Sequence, residues 1–154
     1  MKTKHIRKGE IIQQRGEINS KVFHVDKGLL RSYSIDEKGR EHIFMFAAEA
    51  CCIADGQKPE KPAELFIDAI EDSIVTIYEK EPEPEFKGNA YIQMIYGLQR
   101  RVIMLMSSSA IERYESFLET YPDIAQRVPQ RMIASYLGIT PESLSKIKRK
   151  YRNS

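Results

Sequence analysis

Between residues 9 and 79 apolar and polar positions alternate in six short runs: Glu10 to Gln13, Lys21 to Val25, Leu29 to Ile35, Glu41 to Ala47, Glu64 to Ala69 and Ser73 to Tyr78. Period-two patterning over runs this short predicts strands. Gly9, Gly16, Gly28 and Gly39 fall between them at spacings of 7 to 12 residues, and Asp36-Glu37-Lys38-Gly39 is a tight-turn signal. Short strands at regular spacing with glycine turns predict a sandwich or barrel.

The pattern breaks at Glu79-Lys80-Glu81-Pro82-Glu83-Pro84-Glu85. Two prolines and repeated like charge favour an extended linker, so a domain boundary is expected here. From Tyr91 to about Tyr121 no proline occurs, and Ile95, Leu98, Val102 and Leu105 recur at 3-4-3 spacing. That spacing lines one face of a helix, either as a core-facing stripe or as a dimer seam. Beyond Tyr121-Pro122-Asp123 the sequence predicts two short helices, Pro129 to Tyr136 and Pro141 to Lys150, joined by Leu137-Gly138-Ile139-Thr140.

The second of these helices carries the chemistry. A helix-turn-helix needs a small residue where its helices cross, a glycine for left-handed turn geometry and apolar closing contacts. Ala134, Gly138, Ile139, Leu144 and Ile147 supply them. Thr140-Pro141-Glu142-Ser143 adds an N-cap hydroxyl, a proline at the first helical position and a carboxylate in the first turn. In a major groove, Glu142 would accept from cytosine N4, and Lys146, one turn on, would reach guanine or a phosphate. Thr140 and Ser143 suit phosphate. Lys148, Arg149, Lys150 and Arg152 would neutralise the backbone without specifying sequence.

Charge supports that division of labour. Residues 49 to 87 hold eleven acids against four lysines, whereas residues 131 to 154 hold six Lys/Arg and one acid, Glu142, within a net charge of only +2. A basic end on a neutral or acidic body is the footprint of a phosphate-binding module. The longest apolar run, Ile43 to Ile53, is interrupted by Glu49 and falls short of the roughly 20 residues that span a bilayer. The basic start Met1-Lys2-Thr3-Lys4-His5 leads into no apolar segment, so a cytoplasmic protein without a membrane partner is expected.

The two cysteines, Cys51 and Cys52, are adjacent. Neighbouring strand residues point to opposite faces, which disfavours a disulfide between them. An iron–sulfur site needs about four thiolates, and zinc needs three or four grouped ligands. Neither set is present, so no metal or cofactor is expected. Buried structural cysteines are the preferred reading over a redox sensor.

The segment from Arg127-Val128-Pro129 through Ile147, containing Ile-Ala-Ser-Tyr-Leu-Gly-Ile-Thr-Pro-Glu, resembles the DNA-binding end of Crp/Fnr superfamily regulators, specifically a short branch of them. Glu112-Arg113-Tyr114 and Tyr121-Pro122 match that branch, and the turn glycines and Ala69-Ile70-Glu71-Asp72-Ser73 are similar to the family's cyclic-nucleotide-binding-type barrel. The resemblance implies an α+β chain with an antiparallel jelly-roll barrel at residues 1–88. A linker and long dimerisation helix would follow at 89–120, then the helix-turn-helix at 121–154. It also implies a homodimer joined through Ile95, Leu98, Val102 and Leu105, binding a pseudo-palindromic duplex DNA site and acting with RNA polymerase. The family's base-reading glutamate and basic positions fall on Glu142 and Lys146, while Pro141 replaces a further basic position, so a different base preference is expected.

The chain departs from the family in its sensor. A cyclic phosphodiester needs a guanidinium and backbone N–H groups, and the ribose needs a carboxylate. The family's Gly-Glu pair corresponds to Ala54-Asp55 or Ala48-Glu49, and its Pro-Arg-Ser/Thr-Ala run becomes Pro62-Ala63-Glu64-Leu65. An effector pocket around Asp55, Ala63 and Glu64 would therefore offer an anion where a cation is required. Lys58 and Lys61 cannot reproduce the bidentate fork. Cyclic nucleotides are expected not to bind, and the effector stays unassigned. Set against the resemblance, the family's leading helices and wing hairpin are not expected in this sequence, and only Pro82-Glu83-Pro84 is expected where a helix usually precedes the dimer helix.

Two other classes compete. A cupin-like metalloenzyme would need converging histidines, but His5, His24 and His42 lie on separate segments. A nucleophile at Cys51 or Cys52 with His24 or His42 as base is the other enzymatic route; no enzymatic activity is expected. The second class is a dimeric ligand-binding barrel with a vestigial helix-turn-helix, against which the basic tail argues.

Overall fold

A computed structural model describes residues 1–80 and 88–153, with the side chains of 88–94 outside that description. The chain divides into two compact units, Met1–Pro84 and Glu85–Ser154. The first is built from eight strands: β1 (Lys2–Ile6), β2 (Ile11–Gln13), β3 (Val22–Lys27), β4 (Leu30–Ile35), β5 (Glu41–Ala47), β6 (Cys52–Ala54), β7 (Phe66–Ala69) and β8 (Ser73–Tyr78). They form two antiparallel four-stranded sheets, β1-β8-β3-β6 and β2-β7-β4-β5. This is a double-sheet jelly roll rather than a closed barrel, and each sheet keeps its own edges.

The core lies between the sheets, with Ile6, Phe23, Val25, Ile53 and Val75 from one and Leu30, Ala47, Ile67 and Ala69 from the other. Every other residue of β3 and β7 contributes, as the alternation predicts. One glycine decides how the turns meet. Gly28 has φ +98°, and a Cβ there would stand 2.3 Å from Ser73 Oγ and 2.8 Å from the Asp72 carbonyl. Ser73 Oγ accepts from the Leu29 N–H at 3.2 Å, fastening the β3–β4 turn to the start of β8.

All six strands expected from the alternation are present, and two more exist. β1 is edge strand Lys-Thr-Lys-His-Ile, exposed at four of its five positions, and β6 has only three residues. Neither carries a readable apolar alternation.

The second unit contains α1 (Gly88–Ser107), α2 (Ala110–Thr120), a 3-10 turn at Ile124–Gln126, α3 (Gln130–Leu137) and α4 (Pro141–Arg152). The single long helix expected from Tyr91 to Tyr121 is thus two helices. The break is a capping box: Glu112 N–H donates to Ser109 Oγ at 3.4 Å, and the Ser109 N–H donates back to Glu112 Oε2 at 2.6 Å. Of the linker expected from Glu79 to Glu85, residues 81–85, with the Pro82-Glu83-Pro84 segment, lie outside the described residues. No helix of the described chain is long and apolar enough to cross a membrane.

Candidate nucleic-acid interface

α2, α3 and α4 pack on one another around Phe117, Ile133, Leu137 and Leu144, all essentially inaccessible. Leu144 is the buried apolar anchor of α4, and Ala134 is buried on α3. The turn between the helices is closed by its backbone. Gly138 takes φ +67°, its N–H donates to the Ser135 carbonyl at 3.1 Å, and the Ile139 N–H donates to the Ala134 carbonyl at 3.0 Å. This is the two-bond left-handed cap that glycine permits.

α4 starts at Pro141 because Thr140 caps it. Thr140 Oγ1 accepts from the Ser143 N–H at 3.1 Å and donates to Ser143 Oγ at 3.0 Å. Of the two hydroxyls expected to suit phosphate, Thr140 spends its proton in the cap, whereas Ser143 Oγ only accepts there. With Leu144 buried, Glu142, Lys146 and Arg149 come together on the exposed side, at the i, i+4, i+7 spacing of one helix face. Lys150 and Arg152 follow, also exposed, and with Arg149 they complement the negative end of the helix dipole.

Lys148 is placed differently. It is half-buried, and its ammonium donates to Gln130 Oε1 at the start of α3, 3.0 Å away. A cleft of about 500 Å³ opens there, lined by Lys148, Arg149 and Arg152 together with Gln130, Ser145, Tyr114 and Tyr151. Three cations, an amide and the N-terminus of α3 form an anion-attracting flank beside the exposed face. Gln130 and Ser145 had no sequence signal; they are recognisable only once α3 and α4 are placed.

On α1, Ile95 and Val102 remain 56% and 53% exposed, and Leu98 and Leu105 are exposed as well. Leu105 has a neighbour inside the unit: its Cδ2 would lie 3.7 Å from a Cβ placed on Gly138.

The residues expected to form an effector pocket have their own partners. Asp55 is 4% exposed. Its Oδ2 accepts from the Glu64 and Leu65 N–H groups at 2.8 and 2.7 Å, and its Oδ1 from the Gln57 N–H at 2.8 Å. Ala63 is buried and pairs through its backbone with Glu17 and Gly16, while Glu64 is exposed. Lys80 closes the loop, donating to the Ser20 hydroxyl and to the Asp55 and Gln57 carbonyls at 2.7 to 2.9 Å. Burial lowers the Lys80 pKa, against the raising effect of Asp55.

The cysteine expectation is corrected: Cys51 and Cys52 are both exposed. Cys51 sits in the turn before β6 and Cys52 at the edge of β6, opposite His24 on β3, so neither reaches the core. Partial burial and the neighbouring Cys51 push the Cys52 thiol pKa up, away from the range of an activated nucleophile.

A jelly-roll unit followed by a helical unit that carries a capped helix-turn-helix defines a class of protein by its fold, a double-sheet sandwich joined to a motif of the kind that reads DNA. Comparison with known proteins narrows the class. The chain is 26% identical, over an alignment of 180 positions, to the fumarate and nitrate reduction regulatory protein of Escherichia coli (strain K12), covering 98% of this chain and 69% of that protein. It is 23% identical to the nitrogen fixation regulation protein FixK of Rhizobium meliloti (strain 1021), covering 94% and 72%. Among solved structures, FixK2 from Bradyrhizobium japonicum matches with a TM-score of 0.78 at 23% identity, over 99% of this chain and 84% of that one. A CRP/FNR-family transcriptional regulator from Thermus thermophilus, TTHA1359, matches at 0.77 with 17% identity, over 99% and 86%. No family model matches. Sequence and fold agree in supporting a Crp/Fnr superfamily regulator.

Proposed function

We propose that this chain is a sequence-specific DNA-binding transcription regulator that works as a homodimer. The observation that carries the reading is the helix-turn-helix of α3 and α4, with Glu142, Lys146 and Arg149 on the exposed face of a helix that Leu144 anchors. Glu142 and Lys146 are the base-reading pair. Arg149, Lys150 and the cationic cleft at Lys148 hold phosphates, and Thr140 and Ser143 cap the helix start on the same phosphate-facing end, where the Ser143 hydroxyl keeps its proton to donate. The exposed row Ile95, Leu98, Val102 and Leu105 on α1 is the surface a second copy would cover. Two copies are what a pseudo-palindromic site requires. Contact with RNA polymerase is proposed on family resemblance alone.

The jelly roll is proposed not to bind cyclic nucleotides. Two backbone N–H groups of the segment that matches the family's phosphate run, those of Glu64 and Leu65, already bind the Asp55 carboxylate. A phosphate would have to displace a resident anion with no arginine to help it. Saturable micromolar binding of cyclic AMP or cyclic GMP in calorimetry would overturn this part.

The functional test titrates fluorescent genomic DNA fragments at two salt concentrations with the wild type, Lys146→Ala and Glu142→Ala. Sequence-selective binding should weaken with salt, with a log–log slope of about −0.9 per phosphate neutralised. Each substitution should cost about 1–3 kcal/mol or change the preferred site. A chain that binds no fragment at low salt would have a vestigial helix-turn-helix.

A further inference from the structure

The triplet Glu112-Arg113-Tyr114 carries part of the family resemblance and lies on α2, outside the proposed base-reading pair of α4, although Tyr114 also lines the cationic cleft; each of its side chains pins a different joint. Glu112 closes the capping box that starts α2. Tyr114 is buried and meets Tyr151 of α4 edge-on, with ring centroids 5.8 Å apart. Arg113 works between them. Its Nη2 donates to the Leu105 carbonyl at 2.7 Å, its Nε to the Ser108 carbonyl at 3.1 Å and its Nη1 to the Leu137 carbonyl at 3.2 Å.

A second arginine reaches the same place from α1. Arg101 Nη2 donates to the Tyr136 carbonyl at 3.1 Å, and its guanidinium lies 3.7 Å from the centroid of the Tyr136 ring. The end of α3 explains why two cations converge there. A helix leaves its last four carbonyls without intrahelical partners, and its dipole makes that end negative. The turn at Gly138 and Ile139 takes the Ala134 and Ser135 carbonyls. The remaining two, of Tyr136 and Leu137, are taken by Arg101 and Arg113. All four orphan carbonyls are thereby satisfied, two by the turn and two by side chains rooted in α1 and α2.

We propose that Arg101 and Arg113 are positioning residues that clamp the helix-turn-helix to the end of α1, and so set the distance between the two recognition helices of a dimer. The proposal rests on the reading of the chain as a dimeric DNA-binding regulator. Because a guanidinium presents several donors in a fixed plane, lysine does not replace either arginine of the clamp.

The test lets the full chain, Arg113→Gln and Arg101→Lys each select sites from a pool of random-sequence DNA duplexes, read by sequencing. The wild type should select two half-sites at one spacing. The variants should select the same half-site sequence at a spread of spacings, and bind the wild-type site about tenfold more weakly, the scale of a lost charge-assisted hydrogen bond. A variant with the wild-type spacing and affinity overturns the clamp, as does one whose half-site sequence changes while its spacing does not. Arg101→Lys keeps the charge and is the variant read if Arg113→Gln fails to fold. Amide hydrogen exchange on the free chain tests the clamp independently of DNA. Arg113→Gln should exchange faster at residues 105–110 and at Gly138 and Ile139, and unchanged exchange overturns the proposal. If the wild type selects no sequence at all, the DNA-binding reading fails, and exchange alone then decides the clamp.

Discussion

Arg31 in the jelly roll and Arg113 in the helical unit each make several hydrogen bonds, but to opposite kinds of acceptor. Arg31, on β4, is enclosed and meets carboxylates: Nε and Nη2 donate to Asp68 of β7 at 2.8 and 2.9 Å, and Nη1 to Glu41 of β5 at 2.6 Å. Burial pulls its pKa down, the bonds to Asp68 and Glu41 push it up, and the net movement is upward. Its guanidinium also covers Tyr33, which stacks on Phe66. The three bonds of Arg113 go to neutral backbone carbonyls. The first arrangement compensates a buried charge and staples three neighbouring strands in one register, and in the enclosed Arg31–Asp68 pair neither partner is removed without stranding the other. The second exchanges with water at smaller cost. One unit is built to keep its shape, and the other holds a joint by bonds that can be remade.

The largest expected effect comes from breaking that staple. Asp68→Ala leaves Arg31 enclosed with only part of its compensation, and should destabilise the jelly roll by about 3–5 kcal/mol. Urea titration followed by site-resolved exchange checks this, since the loss should appear in β4, β5 and β7 while α3 and α4 keep their protection. Uniform loss across both units would mean that they unfold together.

The two functional glycines sharpen the contrast at smaller scale. Gly28→Ala meets both a positive φ and a Cβ driven against the Asp72 and Ser73 backbone, so about 2–4 kcal/mol is expected. Gly138→Ala meets positive φ but nothing nearer than 3.7 Å, so about 1 kcal/mol is expected, from backbone conformation alone. Thermal melts of the two variants should rank in that order; the reverse would mean that the turn of α3 and α4 is more tightly packed than the sheets.

The same contrast governs what the sequence made legible. Strands with one wet and one dry face announced themselves, as did the Ala134, Gly138 and Thr140-Pro141 signals of the helix-turn-helix. β1 did not, because an edge strand exposed on both faces has no alternation to read, and β6 did not, because three residues are too few. The α1–α2 break had a signal, Ser109-Ala110-Ile111-Glu112, that matches the capping-box pattern; the absence of proline and the continuing apolar residues masked it. The cysteines were misplaced because adjacency says nothing of a turn that carries both outward. Clamps such as Arg101 and Arg113 are legible only in three dimensions, since their acceptors are backbone atoms that any residue supplies.

The smallest effect isolates that same break. Glu112 has its pKa lowered by the hydrogen bond from the Ser109 hydroxyl, and then by the Ser109 N–H. A carboxylate whose folded pKa is depressed contributes stability above its ordinary unfolded value, and loses it as pH falls through the folded value. Acid should therefore loosen the start of α2 and, through Arg113, the joint beside it. Glu112→Gln keeps a side chain that can close the capping box but carries no charge to titrate. Near neutral pH it should behave almost as the wild type, whereas the acid dependence of exchange at residues 109–113 should flatten. The jelly roll supplies the internal control. Asp36, held low by His42 and then by the Arg40 backbone, and Glu10, held low by Lys4 and then by the Arg7 backbone, lie in the other unit. Their acid response should be the same in both chains. If Glu112→Gln changed the sheets' acid response as well, the two units would be energetically coupled, and the contrast between a fixed jelly roll and a remakeable joint would have to give way to a single cooperative body.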